Sequence, residues 1–205
     1  MSDYFNNRPL FTTGEGVAIS PDSLNPRAVS FSAISSLVLN KTVLDVGCNN
    51  GRWMSWLLDN GASHVTGIDV DTVDLAAAES NLGAYFELSN YSLQESSWEN
   101  YSPSSPFDLV FCAGMLHLGN TQQTLIHKLP SLGTSAIIEA TVCTPDQSTE
   151  TSGTTDKLSW YTSHHVRTMS EIQNYLETSN YSTLNWIDPG SVSDDYRGRV
   201  IVTAT

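Results

Sequence analysis

Val43-Leu-Asp-Val-Gly-Cys-Asn-Asn-Gly51 is an apolar, β-branched run that carries an acid at Asp45 and breaks at Gly47 and Gly51. Its first residues read as a strand over residues 42–46. The segment after Gly51, RWMSWLLDN over residues 52–60, reads as a helix, and Gly61 can take the left-handed conformation that stops one. A strand, a glycine bend and a helix in succession let the backbone approach a ligand closely and aim helix N–H groups at it. A dinucleotide fingerprint asks for glycine at the first, third and sixth places of the bend. Counting from Gly47, the latter two places hold Asn49 and Arg52, so a nicotinamide cofactor fits poorly.

Outward from this stretch, short apolar runs alternate with helical periodicity, the pattern of a parallel sheet covered by helices. Toward the N-terminus, residues 22–39 predict an amphipathic helix, with Ala28, Phe31, Ile34, Leu37 and Val38 three or four apart. Toward the C-terminus the reading is strand 64–69, an acid-opened helix 71–82 stopped by Gly83, strand 84–88, and a Ser/Pro-rich loop 94–106. Strand 107–113, helix 121–129 and strand 136–142 follow. Thr168 and Glu171 form a capping box for the next helix, with Asn180 as its left-handed stop. Residues 181–187 and 199–203 are two closing strands joined closely enough for an antiparallel return. The expectation is one α/β domain with a Rossmann-like, seven-stranded, mostly parallel sheet, its last strand antiparallel and helices on both faces.

Composition narrows the partners. Among 205 residues, 9 Lys+Arg against 22 Asp+Glu give a net charge of −13, which disfavours nucleic acid as a partner. The sequence contains no apolar run long enough to span a bilayer, and MSDYFNNRPLFTTGEG lacks the basic and apolar regions of a secretory signal, so a cytoplasmic setting is expected. Cys48, Cys112 and Cys143 are odd in number and lack C-x-x-C spacing, which argues against a disulfide framework or structural zinc.

The motif around Gly47 resembles motif I of the class I S-adenosylmethionine-dependent methyltransferases, and two later stretches extend the likeness. Gly67-Ile-Asp69 ends the second strand eighteen residues after Gly51, and Phe107-Asp-Leu-Val-Phe-Cys-Ala-Gly-Met-Leu-His117 looks like the fourth-strand motif. Within the superfamily the pair is nearest the branch of tRNA wobble-uridine carboxymethyltransferase-like and related small methyltransferases. The resemblance implies S-adenosylmethionine as cofactor. Its methionine part would lie against Asp45, Gly47, Cys48, Asn49 and Gly51, its ribose on Asp69, and its adenine on Val70, with Ala113 at the end of the fourth strand. Asn49 stands where glycine is common, and it tolerates left-handed backbone. The acid usual after the third strand is missing from residues 88–93 as read here, which leaves Ser92 beside the Leu93 backbone for the adenine amine.

Asp108, Trp53 and Trp56 read as structural residues. His117, at the end of the fourth strand, divides between a supporting histidine and a general base. Trp160, Tyr161, His164 and His165 lie in the long connection 143–167, a candidate substrate loop, and divide between a solvated loop and an acceptor pocket in which His164 or His165 is a further candidate base. Adjacent histidines point to different sides of a strand, so no metal site is expected. Residues 1–20, with Tyr4, Phe5 and Phe11, are a candidate lid. The first reading is methyl transfer to a nitrogen or oxygen of a small molecule. The alternatives are an RNA- or tRNA-modifying methyltransferase and a cofactor-binding module without transfer.

Overall fold

A computed structural model describes residues 33–116, 121–143, 167–187 and 197–205. The candidate lid 1–20, His117, and the body of the loop 143–167 with Trp160, Tyr161, His164 and His165 lie outside the described residues.

The strands are β1 (Thr42–Val46), β2 (His64–Asp69), β3 (Tyr91–Glu95), β4 (Leu109–Ala113), β5 (Ala136–Cys143), β6 (Arg167–Thr168), β7 (Leu184–Ile187) and β8 (Arg197–Ala204). The helices are α1 (Arg52–Asp59), α2 (Thr72–Gly83), α3 (Gln122–Lys128) and α4 (Met169–Glu177). Seven strands run β3-β2-β1-β4-β5-β8-β7, and the two-residue β6 pairs with β5 beside this path. β1 to β5 are parallel, while β8 is antiparallel to both β5 and β7, as the closing connection predicts.

Strict alternation places successive side chains on opposite faces. Val43, Val65, Leu109, Phe111 and Ile137 pack with Trp53, Met54, Trp56 and Leu57 of α1 and Leu75 and Leu82 of α2. Leu44, Ile68, Val110, Cys112 and Ile138 pack on the other face with Leu125 and Ile126 of α3 and Ile172 and Leu176 of α4. Because β4 is buried along its whole length, it needs the unbroken apolar run Leu109–Ala113. Trp53 and Trp56 are core residues, tilted against Phe111 with ring centroids 5.9 and 6.1 Å away. Asp108 is structural too. Its Oδ2 accepts both the Thr42 N–H and the Thr42 hydroxyl at 2.9 Å, tying the starts of β1 and β4 together.

Four expectations require correction. The third strand is Tyr91–Glu95, and residues 84–88 form a turn in which Leu88 is 72% exposed. The period-two alternation of Tyr91 and Leu93 with Ser92 and Gln94 marks an edge strand with one face against the core. The loop expected at 94–106 therefore begins only after Glu95. The described end of the expected helix 22–39 is a single 3-10 turn, Ser35–Leu37. Asn180 does not supply a left-handed stop: α4 ends on Thr178 in right-handed backbone, and the positive-φ non-glycine residues among those described are Asn40 and Asn49. The capping box itself is present, with Thr168 Oγ1 accepting from the Glu171 N–H at 3.2 Å and Glu171 Oε2 accepting from the Thr168 N–H at 2.8 Å.

Candidate functional site

Strand order reverses between β1 and β4, and the crevice outside the carboxyl ends of those strands is where open α/β sheets receive ligands. The first motif lies there. Gly47 (φ 72°), Asn49 (φ 47°) and Gly51 (φ 79°) all take left-handed backbone, which explains two glycines and an asparagine in five residues. The Gly47 and Cys48 N–H groups both donate to the Ile68 carbonyl, at 2.9 and 3.0 Å, so the turn folds back over the end of β2.

Asp69 fastens this turn from the other side. Its Oδ2 accepts the Asn49 N–H at 2.8 Å and its Oδ1 accepts the Asp71 N–H at 3.0 Å. One carboxylate thus holds the bend after β1 and the bend after β2. Asp71 in turn caps α2, accepting from the Val73 and Asp74 N–H groups. Val70 is 65% exposed beside Asp69, an apolar surface facing water at the crevice.

Asp45 is 2% exposed, and its Oδ2 has no hydrogen-bond partner among the described residues. Burial, reinforced by the Asp69 charge and opposed by Arg52, raises its carboxyl to about 8. A buried carboxylate oxygen without a partner at the crevice is chemically suited to a cationic ligand group, such as an ammonium. A Cβ on Gly47 would come within 2.1 Å of the Met115 thioether, so the absent side chain leaves room for the segment after β4. Ala113, at the end of β4, and Gly114 (φ 77°) lead into Met115 and the buried Leu116, which brings the fourth-strand motif beside the first.

Cys48 is packed, with its thiol pushed up by burial first and by Asp45 next. Asp45, Gly47, Cys48, Asn49, Gly51, Asp69, Val70 and Ala113 therefore gather around the ends of β1, β2 and β4. Ser92 and Leu93 lie elsewhere in β3. Ser92 pairs with Thr66, and its hydroxyl lies 3.2 Å from His64 Nε2 and 3.0 Å from Thr66 Oγ1, roughly 10 Å of strand before the crevice. The β3 residue at the crevice is Glu95, whose Cα partner is Asp69. Glu95 lies beyond the strand expected at 84–88, and the alternation beginning at Tyr91 is the signal that finds it. Among the described residues no group of three or more His, Cys, Asp or Glu is placed to hold a metal ion.

Comparison with known proteins fits this geometry. Residues 43–131 match the family profile described as a methyltransferase domain. Over 78 residues the chain is 40% identical to a tRNA U34 carboxymethyltransferase of Shewanella woodyi, covering 38% of this chain and 24% of that protein. The corresponding protein of Shewanella pealeana is 30% identical over 117 residues, covering 56% of this chain and 36% of its own length. The chain thus matches between about a quarter and a third of these relatives. Among solved structures, an S-adenosylmethionine-dependent methyltransferase from Mesorhizobium loti superposes with a TM-score of 0.68 at 18% identity, over 87% of this chain and 97% of that one. The [4+2]-cyclase SpnF gives 0.72 at 16% identity, over 91% and 82% of the two chains. Magnesium protoporphyrin IX methyltransferase from Synechocystis, with bound S-adenosylhomocysteine, gives 0.64 at 16%, over 89% and 82%. These likenesses establish the fold.

Proposed function

Since the chain belongs to the class I S-adenosylmethionine-dependent methyltransferase superfamily, we propose that its crevice binds S-adenosylmethionine and passes a methyl group to a nitrogen or oxygen of a small acceptor. The cofactor supplies an electrophilic methyl on a sulfonium, and the displacement is in line, so the protein's task is alignment in a dry pocket. Asp45 receives the ammonium end, and the turn Gly47–Gly51 lines the methionine part. Asp69 accepts from the ribose hydroxyls and Val70 lies against the adenine. Glu95, beside Asp69, takes the place first assigned to Ser92 and Leu93 at the far end of the nucleoside. His117, three residues past Gly114, and His164 and His165 are the proposed proton acceptors when the nucleophile carries a proton.

The observation that carries the reading is the buried Asp45 oxygen without a partner, set beside a turn that Asp69 itself pins. The net charge of −13 supports a small acceptor over a polyanionic one. An RNA acceptor is the second reading, favoured by the 40% identity over 78 residues to a tRNA U34 carboxymethyltransferase. Titration calorimetry with S-adenosylmethionine and S-adenosylhomocysteine tests the reading. Binding of both at one site per chain is expected, and failure of either to bind at millimolar concentration overturns it. Affinity for short RNA that falls steeply with salt moves the acceptor to the second reading.

A further inference from the structure

The turn between β1 and α1 is gripped from one side by α2. Asp74 in the first turn of that helix accepts a hydrogen bond from the Asn49 side-chain amide. Further along the same helix, Asn81 Nδ2 donates to the Asn50 carbonyl at 3.0 Å. Between them a Cβ on Gly51 would meet Ala78 Cβ and Leu82 Cδ1, each at 3.1 Å. Asp74, Ala78 and Asn81 are spaced by four and three, so they share one face of the helix. That face touches every residue of the turn from Asn49 to Gly51.

We propose that α2 is the positioning element of this turn: Asp74 and Asn81 hold Asn49 and Asn50 in the conformation that admits the cofactor, and so set its affinity without contacting it. This rests on the methyltransferase reading above. Asn49 carries positive φ, which costs a side-chain-bearing residue what it does not cost glycine. The side chain whose Cβ causes the cost also carries an amide that donates to a carboxylate, and that carboxylate sits at a helix N-terminus, where negative charge is favoured. The chain therefore fixes the turn with a cross-link to α2, and a turn held in its bound shape spares ligand binding the cost of ordering it.

The test uses S-adenosylhomocysteine calorimetry together with amide exchange at residues 49–51 by NMR. Asp74→Ala is expected to bind roughly ten-fold more weakly, the effect of losing one hydrogen bond to a charged group, and to exchange the Asn49 and Gly51 amides faster in the free protein. Asp74→Asn keeps an acceptor oxygen and is expected to bind within about three-fold of the unsubstituted chain. Asn49→Asp places two carboxylates together and is expected to weaken binding further. Combining it with Asp74→Asn restores one donor and one acceptor at unchanged net charge, and is expected to recover most of the loss. A folded Asp74→Ala protein with unaltered affinity and exchange, or a double variant no better than Asn49→Asp, overturns the proposal. If the unsubstituted chain binds no S-adenosylhomocysteine, the methyltransferase reading falls and this inference with it; if it binds and Asp74→Ala binds equally, the inference alone falls.

Discussion

Asp69 Oδ2 accepts the Asn49 N–H at 2.8 Å, so the tip of β2 and the bend after β1 are one hydrogen-bonded unit. Removing that carboxylate affects both folding and ligand. Asp69→Ala also strands the Asp71 N–H, and two lost bonds to a half-exposed charge are expected to lower stability by about 2 kcal/mol. Urea denaturation measures that loss, and calorimetry on the still-folded protein is expected to find nucleoside affinity reduced at least ten-fold.

The Asp45 carboxyl sets a pH dependence of definite sign. Its folded value, raised to about 8, lies above the ordinary value of 3.8, so the folded protein binds more protons than the unfolded one between these limits. Stability of the ligand-free protein is therefore expected to fall as pH rises from about 4 to 8, and Asp45→Asn is expected to flatten that slope. A cationic ligand group prefers the ionised carboxylate, so cofactor affinity is expected to rise with pH up to about 8. Calorimetry at pH 7 in two buffers of different ionisation enthalpy is expected to register proton release on binding by the unsubstituted chain and none from this group in Asp45→Asn.

Asp108 has the opposite sign. The Thr42 N–H and hydroxyl hold its carboxyl below the usual range, so its contribution is complete above the ordinary carboxylate value and is lost as pH falls through the depressed one. Asp108→Ala is expected to melt below the unsubstituted chain at neutral pH, with the gap closing in acid, and to leave cofactor affinity unchanged because the residue lies at the far ends of β1 and β4.

Gly67 is enclosed although its backbone is ordinary for a strand. A Cβ there would lie 2.4 Å from the Met54 sulfur, 2.8 Å from Cys48 Sγ and 2.9 Å from Cys48 Cβ. Gly67→Ala is expected to cost about 1–3 kcal/mol by overpacking and, by displacing Cys48, to weaken ligand binding as well. At the distal end of the sheet, Thr168→Ala removes a satisfied helix cap and is expected to cost about 1 kcal/mol with no change in affinity.

The parts of the fold that depend on local chemistry are legible from the chain alone. β1, β2 and α1 follow from Thr42–Asp69 because the strands are flanked by neighbours and need apolar residues, while the turn needs positive φ. The Thr168 capping box follows from two side chains three residues apart. β3 is less legible because an edge strand has one paired side and one buried face, and the residues 84–88 are more apolar than Tyr91–Glu95. Phe86 packs on the core from a turn, which no periodicity distinguishes from a strand. With the strand expected at 84–88, local pattern offers Ser92 after it and passes over Glu95, the Cα partner of Asp69. The link from Asn49 to Asp74 crosses twenty-five positions and depends on how α2 lies against the turn, which local pattern does not specify.

The Cys48 thiol, wedged against Met54 across from Gly67, is 3% exposed and disinclined to ionise. Thiolates, not thiols, attack alkylating reagents, so while the bend is closed this sulfur is inert, and it becomes labelled only when the segment between β1 and α1 breathes. Its modification rate under mild conditions is a native clock for that breathing, and a nucleoside that seals the bend will slow it.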